Sequence, residues 1–187
     1  DEGADGFLRR VPDALALAAE VGIDDQLVVP SARGAHVWVD DHLAPLPGDV
    51  DFTVGASLPI SGLTAWQGLF QHGRLQAGQS VLAHGAAGAV GSMVTQLARE
   101  AGGYVIGTGR AADRQKALDF GAQEFVDLDN DALEDVGGVD LVFDVIGGDI
   151  QKRSAGLIRA GGTLVSIVGP PDARPADTPN GQRCAIA

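Results

Sequence analysis

The chain has 187 residues, 45% of them hydrophobic, enough for one sizeable domain with a real core and room for an appended piece. Its formal net charge of −12 speaks against a nucleic-acid partner, because binding a phosphate backbone depends on Lys and Arg neutralising it. Its single cysteine, Cys184, cannot build a disulfide framework or a cysteine zinc site within one chain. No apolar run approaches bilayer length, and the acidic opening Asp1-Glu2-Gly3 lacks the basic start of a signal peptide, so a cytoplasmic protein without a membrane partner is expected.

In chain order, Pro12 predicts a helix over residues 13–21 that Gly22 ends, followed by a short strand at 27–29. His36-Val37-Trp38-Val39 has β character, and Leu43-Ala44-Pro45-Leu46-Pro47 reads as an extended connector, because proline disfavours helix at the residue before it. After Asp51 the pattern turns helical through Ala65 to Phe70, with Trp66 and Phe70 spaced i, i+4 as core residues. Strands are then predicted at 81–84, 104–107, 124–126, 140–144 and 163–168, with helices between them, the one behind the first strand over 92–101. This alternation predicts an α/β fold with a parallel sheet covered on both faces, which binds ligands at the carboxyl ends of its strands. Beyond Ser166 the chain turns into Gly169-Pro170-Pro171 and a polar tail, and no sixth strand is visible.

The most informative segment is Val81-Leu82-Ala83-His84-Gly85-Ala86-Ala87-Gly88-Ala89-Val90-Gly91, an apolar strand that breaks into small residues and then a helix. Gly85, Gly88 and Gly91 let the backbone turn sharply and approach a ligand without a Cβ in the way. Free N–H groups at the helix start offer donors and a favourable dipole, which suits a dinucleotide pyrophosphate lined by the backbone of Ala86, Ala87, Ala89 and Val90. The bland reading of the same residues is ordinary turn and helix-packing glycines. His84 likewise has two readings, a core histidine with satisfied nitrogens or a ligand.

Leu58-Pro59-Ile60-Ser61-Gly62-Leu63-Thr64-Ala65-Trp66, the 84–91 segment, Phe143-Asp144-Val145-Ile146-Gly147-Gly148 and Gly161-Gly162-Thr163-Leu164-Val165-Ser166-Ile167 together resemble the zinc-independent medium-chain dehydrogenase/reductase superfamily. The closest branch is the quinone oxidoreductase and enoyl reductase group. The resemblance implies a Rossmann doubly wound parallel sheet at 56–171, preceded at 1–55 by an incomplete remnant of an N-terminal catalytic, GroES-like domain with its connector, and followed by a tail at 172–187. It also implies that such proteins are about twice this long, so the chain reads as a fragment or short form. In this resemblance Val145 and Ile146 run beside the riboses, Ile167, Val168 and Gly169 approach the nicotinamide, and Thr64 stands near it. Asp144 reads either as part of that segment or as a helix cap, and Thr64 equally as a structural helix threonine.

An acid at the end of the second strand would favour NADH, and a base NADPH. Here Thr108-Gly109-Arg110 brings no acid before Asp113, while Arg110, Arg114 and Lys116 cluster, so NADP is the expected cofactor, with Thr108 and Gly109 lining its site. Arg114 and Lys116 could equally belong to a solvated helix start. No Gly-x-Ser-x-Gly elbow supports serine hydrolysis. A Rossmann methyltransferase fits poorly for want of the acid. The expected function is metal-free hydride reduction of a small-molecule quinone, enone or similar activated alkene, with a homodimer as the expected assembly. The alternative is an NADPH-binding module without turnover.

Overall fold

The computed structural model describes residues 36–39, 42–45, 50–169 and 183–186. The chain divides into two compact units, residues 1–50 and 51–187. In the first, β1 (His36–Val39) pairs antiparallel with β2 (His42–Pro45), His36 standing opposite Pro45. The stretch expected to be a connector therefore begins as the second strand of a hairpin, with proline at its last position, where a missing N–H costs no ladder bond inside the strand. The expected helix at 13–21 and strand at 27–29 lie outside the described residues.

The second unit opens with α1 (Phe52–Trp66), started by Asp51, whose side chain accepts the Thr53 N–H at 2.7 Å. Gly55, Pro59 and Gly62 make this helix intrinsically weak, and it is held by packing: Ala65 and Leu69 are fully buried. It continues without a break into a π-helical stretch, Gln67–His72. That widened turn lies close on the sheet because Gly68 and Gly73 have no side chain; a Cβ there would run into the Phe143 ring and the Leu141 side chain respectively. The second compact unit thus begins at Asp51, the cap of α1.

The sheet contains β3 (Ser80–Ala83), β4 (Tyr104–Gly109), β5 (Glu124–Asp127), β6 (Val139–Asp144), β7 (Ile158–Ser166) and β8 (Arg183–Ile186) in the spatial order β5-β4-β3-β6-β7-β8. Every pairing is parallel. This is the doubly wound Rossmann order, whose switch point lies between β3 and β6. Helices α2 (Ala89–Glu100), α3 (Arg114–Asp119) and α4 (Gly148–Ala155) lie in the crossovers after β3, β4 and β6.

Alternation splits the strands between two cores. Val81, Ala83, Leu141 and Phe143 face the side covered by α1 and α2, with Leu69, Val94 and Ala98. Leu82, Val142 and Leu164 face the other, with Leu133, Ile158 and the partly buried Ile150 of α4.

Three expectations are corrected. A sixth strand exists: Arg183–Ile186 in the supposed tail pairs with β7, Thr163 opposite Arg183. Four residues after a polar stretch give no periodicity to read, and the strand is set by the ladder that β7 offers. Strand β7 begins at Ile158 rather than Thr163, because an irregularity takes the register from Val139 opposite Ile158 to Leu141 opposite Thr163. Gly161, with φ +79, sits in that insertion. Finally, α2 starts at Ala89 rather than Ser92, with Gly88 as an extended N-cap. No helix among the described residues is long and apolar enough to cross a membrane.

Candidate functional site

The carboxyl edge of the sheet gathers the loops after β3, β4, β6 and β7. After β3 the chain turns at Gly85, whose φ of +59 a residue with a Cβ adopts only at a cost. A Cβ here would also meet Val145 Cγ2 at 2.8 Å. The turn closes with the Gly88 N–H donating to the Gly85 carbonyl at 2.8 Å, and Gly91 packs so tightly beneath it that a Cβ would collide with that same carbonyl. Gly88 offers α2 no side-chain cap, and the amides of Ala89, Val90 and Gly91, the first of the helix, have no acceptor among the described residues. Open amides, a helix dipole and a backbone without side chains in the way make a cradle that suits a diphosphate. Ala86 and Ala87 are buried beneath it, while Ala89 is exposed and Val90 half-buried.

Below this loop lies a belt of buried polar groups. His84 is fully buried; its Nδ1 lies 2.8 Å from Thr108 Oγ1 and its Nε2 2.7 Å from Ser154 Oγ. The Ser154 hydroxyl donates to the Ile150 carbonyl at 2.7 Å, so it accepts from Nε2–H, and Nδ1 accepts from the Thr108 hydroxyl. Burial pushes the imidazole down from 6.5 to about 4, with Asp144 opposing the shift by charge. The histidine is thus a satisfied core residue, the plainer of its two sequence readings. Thr108, also fully buried, accepts the Ala86 N–H on its carbonyl at 3.0 Å.

The same belt continues under β6 and β7. Asp144 Oδ1 accepts the N–H groups of Ile146 and Gly147, both at 2.9 Å, and its Oδ2 accepts Gln151 Nε2 at 2.7 Å and Ser166 Oγ at 3.0 Å. Its hydrogen bonds are those of a residue that fixes the turn into α4. The Ile167 N–H reaches the Asp144 carbonyl at 3.1 Å, tying the two strand ends together. Ile146 and Val168 keep 41% and 54% of their surface exposed on this edge, an apolar rim beside Val145, Ile167 and Gly169.

At the end of β4, Arg110 is exposed, and its guanidinium has no ion-pair partner among the described residues. Its backbone is fixed by the Asp113 N–H donating to its carbonyl at 2.8 Å. Arg114 is committed: it donates to the Phe125 carbonyl at 3.0 Å, lies 5.1 Å over the Phe125 ring and pairs with Asp131 at 3.3 Å. Lys116 stands over the Phe120 ring at 5.7 Å. The three cations that cluster in sequence therefore differ in their partners. Thr64 sits half-buried on α1, near the helix end rather than on the strand edge.

Sequence reasoning did not single out Gln151 and Ser154, which share one face of α4, spaced i, i+3, and anchor the belt. Their readable signal is two uncharged polar residues set among Asp149, Lys152 and Arg153. Among the described residues no group of His, Cys, Asp and Glu is arranged to hold a metal ion.

Comparison with known proteins accords with this geometry. Residues 89–182 match the family model described as zinc-binding dehydrogenase. The quinone oxidoreductase of Mus musculus is 34% identical over 151 residues, 74% of this chain and 46% of that protein. The spectinabilin polyketide synthase system protein NorB of Streptomyces orinoci is 37% identical over 139 residues, 70% of this chain and 6% of that protein. Among solved structures, the quinone oxidoreductase of Thermus thermophilus, determined also in complex with NADPH, superimposes with a TM-score of 0.66 at 30% identity, covering 78% of this chain and 49% of that one. That of Coxiella burnetii gives a TM-score of 0.69 at 27% identity, covering 79% and 48%. The chain thus spans about half the length of the quinone oxidoreductases it matches. Order of strands, glycine loop and family match converge on one assignment: the chain belongs to the medium-chain dehydrogenase/reductase superfamily, in the family described as zinc-binding dehydrogenase.

Proposed function

We propose that this chain is the coenzyme-binding part of an NADPH-dependent oxidoreductase that reduces quinones, enones or similar activated alkenes without a metal. The observation that supports it best is the 85–91 cradle at the switch point of the sheet, with open helix amides and no room for a Cβ at Gly85 or Gly91. The amides of Ala89, Val90 and Gly91 hold the diphosphate, with Ala86, Ala87 and Gly88 beneath it. Arg110, the unpaired cation beyond Thr108 and Gly109, takes the 2′-phosphate, while Arg114 and Lys116 contribute field rather than contact. Val145, Ile146, Ile167, Val168 and Gly169 form the apolar rim along which the nicotinamide end lies, with Thr64 on the α1 side. When bound, the coenzyme supplies a hydride for a conjugated carbon; the protein's own part is to position it and keep the rim dry. The relatives' names support the quinone or enone acceptor, since quinone oxidoreductases and polyketide synthases are among them.

Calorimetric titration with NADPH and NADH tests the binding half: NADPH should bind the more tightly, and Arg110→Ala should remove the difference. Turnover is tested by following NADPH oxidation with a panel of quinones and enones, using the full-length protein that contains this sequence. A second reading, binding without turnover by this short form, is favoured by the chain spanning about half of its quinone oxidoreductase relatives. Acceptor-dependent NADPH oxidation by the isolated chain would exclude it. Assembly as a homodimer is proposed through the outer edge of β8, which has no strand on its far side among the described residues. A cytoplasmic setting remains part of the proposal.

A further inference from the structure

The loop that carries the proposed diphosphate site has almost nothing of its own to hold its shape. Ala86, Ala87 and Gly88 bring no polar side chain, α2 begins without a side-chain cap, and the one bond inside the turn is the Gly88 N–H to the Gly85 carbonyl at 2.8 Å. Its anchors come from outside. One residue of the neighbouring strand supplies two of them: the Thr108 carbonyl accepts the Ala86 N–H at 3.0 Å, and the Thr108 hydroxyl donates to His84 Nδ1 at 2.8 Å. These bonds fall on the two residues that flank Gly85, the position with φ +59. We propose that Thr108 is a positioning residue that staples the Gly85 turn from both sides, so that β4 dictates the shape of the diphosphate loop without touching the coenzyme.

Three observations carry this. Thr108 is 0% exposed, so its hydroxyl is turned to the belt and not to a ligand. The proton positions form a closed chain, from the Thr108 hydroxyl to Nδ1, from Nε2–H to Ser154, and from Ser154 to the Ile150 carbonyl, which leaves each group one role. Asp144 from β6, which acts on His84 by charge, is already occupied by Ile146, Gly147, Gln151 and Ser166. His84 therefore relays the hold of α4 to the loop, and Thr108 closes it. The role assigned here rests on the coenzyme reading of the 85–91 loop, and it replaces direct contact between Thr108 and NADP with an indirect one.

The test uses Thr108→Val, which keeps the β-branched shape and removes the hydroxyl, and Thr108→Ser, which keeps the donor. Thr108→Val is expected to weaken NADPH and NADH alike, by roughly tenfold, since the staple serves the diphosphate common to both. The Ala86 amide should exchange faster with solvent, and Thr108→Ser should restore both readouts. A folded Thr108→Val protein with coenzyme affinity within about twofold of the parent and unchanged exchange at Ala86 would overturn the proposal, as would a loss confined to NADPH. Should the parent chain bind neither coenzyme, the proposed function fails, and the exchange comparison alone decides the staple. Nitrogen-15 spectra of the parent imidazole provide an arm that needs no variant: the Nε2–H tautomer is expected, and the Nδ1–H tautomer would contradict the staple.

Discussion

The loop after β3 and the corner after β4 stand at the two sides of one proposed coenzyme site and are built on opposite principles. The loop is shaped by what is missing: at Gly91 and Gly85 any added carbon meets the Gly85 carbonyl or Val145, and its donors are backbone amides. The corner works with side chains, and there three cations close in sequence have three different situations: Arg110 open to solvent, Arg114 tied to Phe125 and Asp131, Lys116 over Phe120. A backbone cradle is decided by sterics, which penalise an added Cβ at Gly85 and Gly91. A side-chain contact is decided by competition between partners.

The largest effect expected is at Gly91. Gly91→Ala forces the loop and α2 apart, and should cost about 1–3 kcal/mol of stability while weakening both coenzymes by roughly 100-fold in calorimetry. If the alanine variant binds as the parent does, the loop is not the tight cradle described. Gly85→Ala comes next. It pairs an unfavourable φ of +59 with a contact to Val145, and about 1–2 kcal/mol of destabilisation should appear in chemical denaturation. On the other side of the comparison, Arg110→Ala should weaken NADPH by roughly tenfold and leave NADH unchanged, the signature of a lost charge-assisted phosphate contact. Equal losses for both coenzymes would move the 2′-phosphate elsewhere. Lys116→Ala should produce the smallest change, less than about twofold for either coenzyme.

A pH prediction concerns the belt that supports the loop. The folded state holds His84 at about 4 against 6.5, so the unfolded chain takes up this proton first as the pH falls. The stability linked to neutral His84 is complete above 6.5 and declines from there down to about 4. Denaturation midpoints measured across that window should fall with acidity, and His84→Asn should flatten the part of the slope that this group causes.

The same contrast explains which features could be read from the chain. The alternation of strands and helices and the glycine loop are legible because apolar strands, small residues and an amphipathic helix follow each other at short range; the Rossmann order of the strands comes only with the family resemblance. The cluster Arg110, Arg114 and Lys116 was legible only as charge. What sets Arg114 apart is Phe125 on β5 and Asp131 in the loop after it, both from further along the chain. Strand β8 was invisible because Arg183–Ile186 is too short to show a pattern, and its conformation is imposed by β7. Gln151 and Ser154 lie among the charged residues Asp149, Lys152 and Arg153 of their helix and gain meaning only when His84, Asp144 and Ser166 are placed under them.

The most direct measurement is calorimetric titration of the folded chain with NADPH and with NADH. The account predicts saturable binding of NADPH, with NADH weaker by a margin that Arg110→Ala abolishes. Folded protein that takes up neither dinucleotide would contradict it.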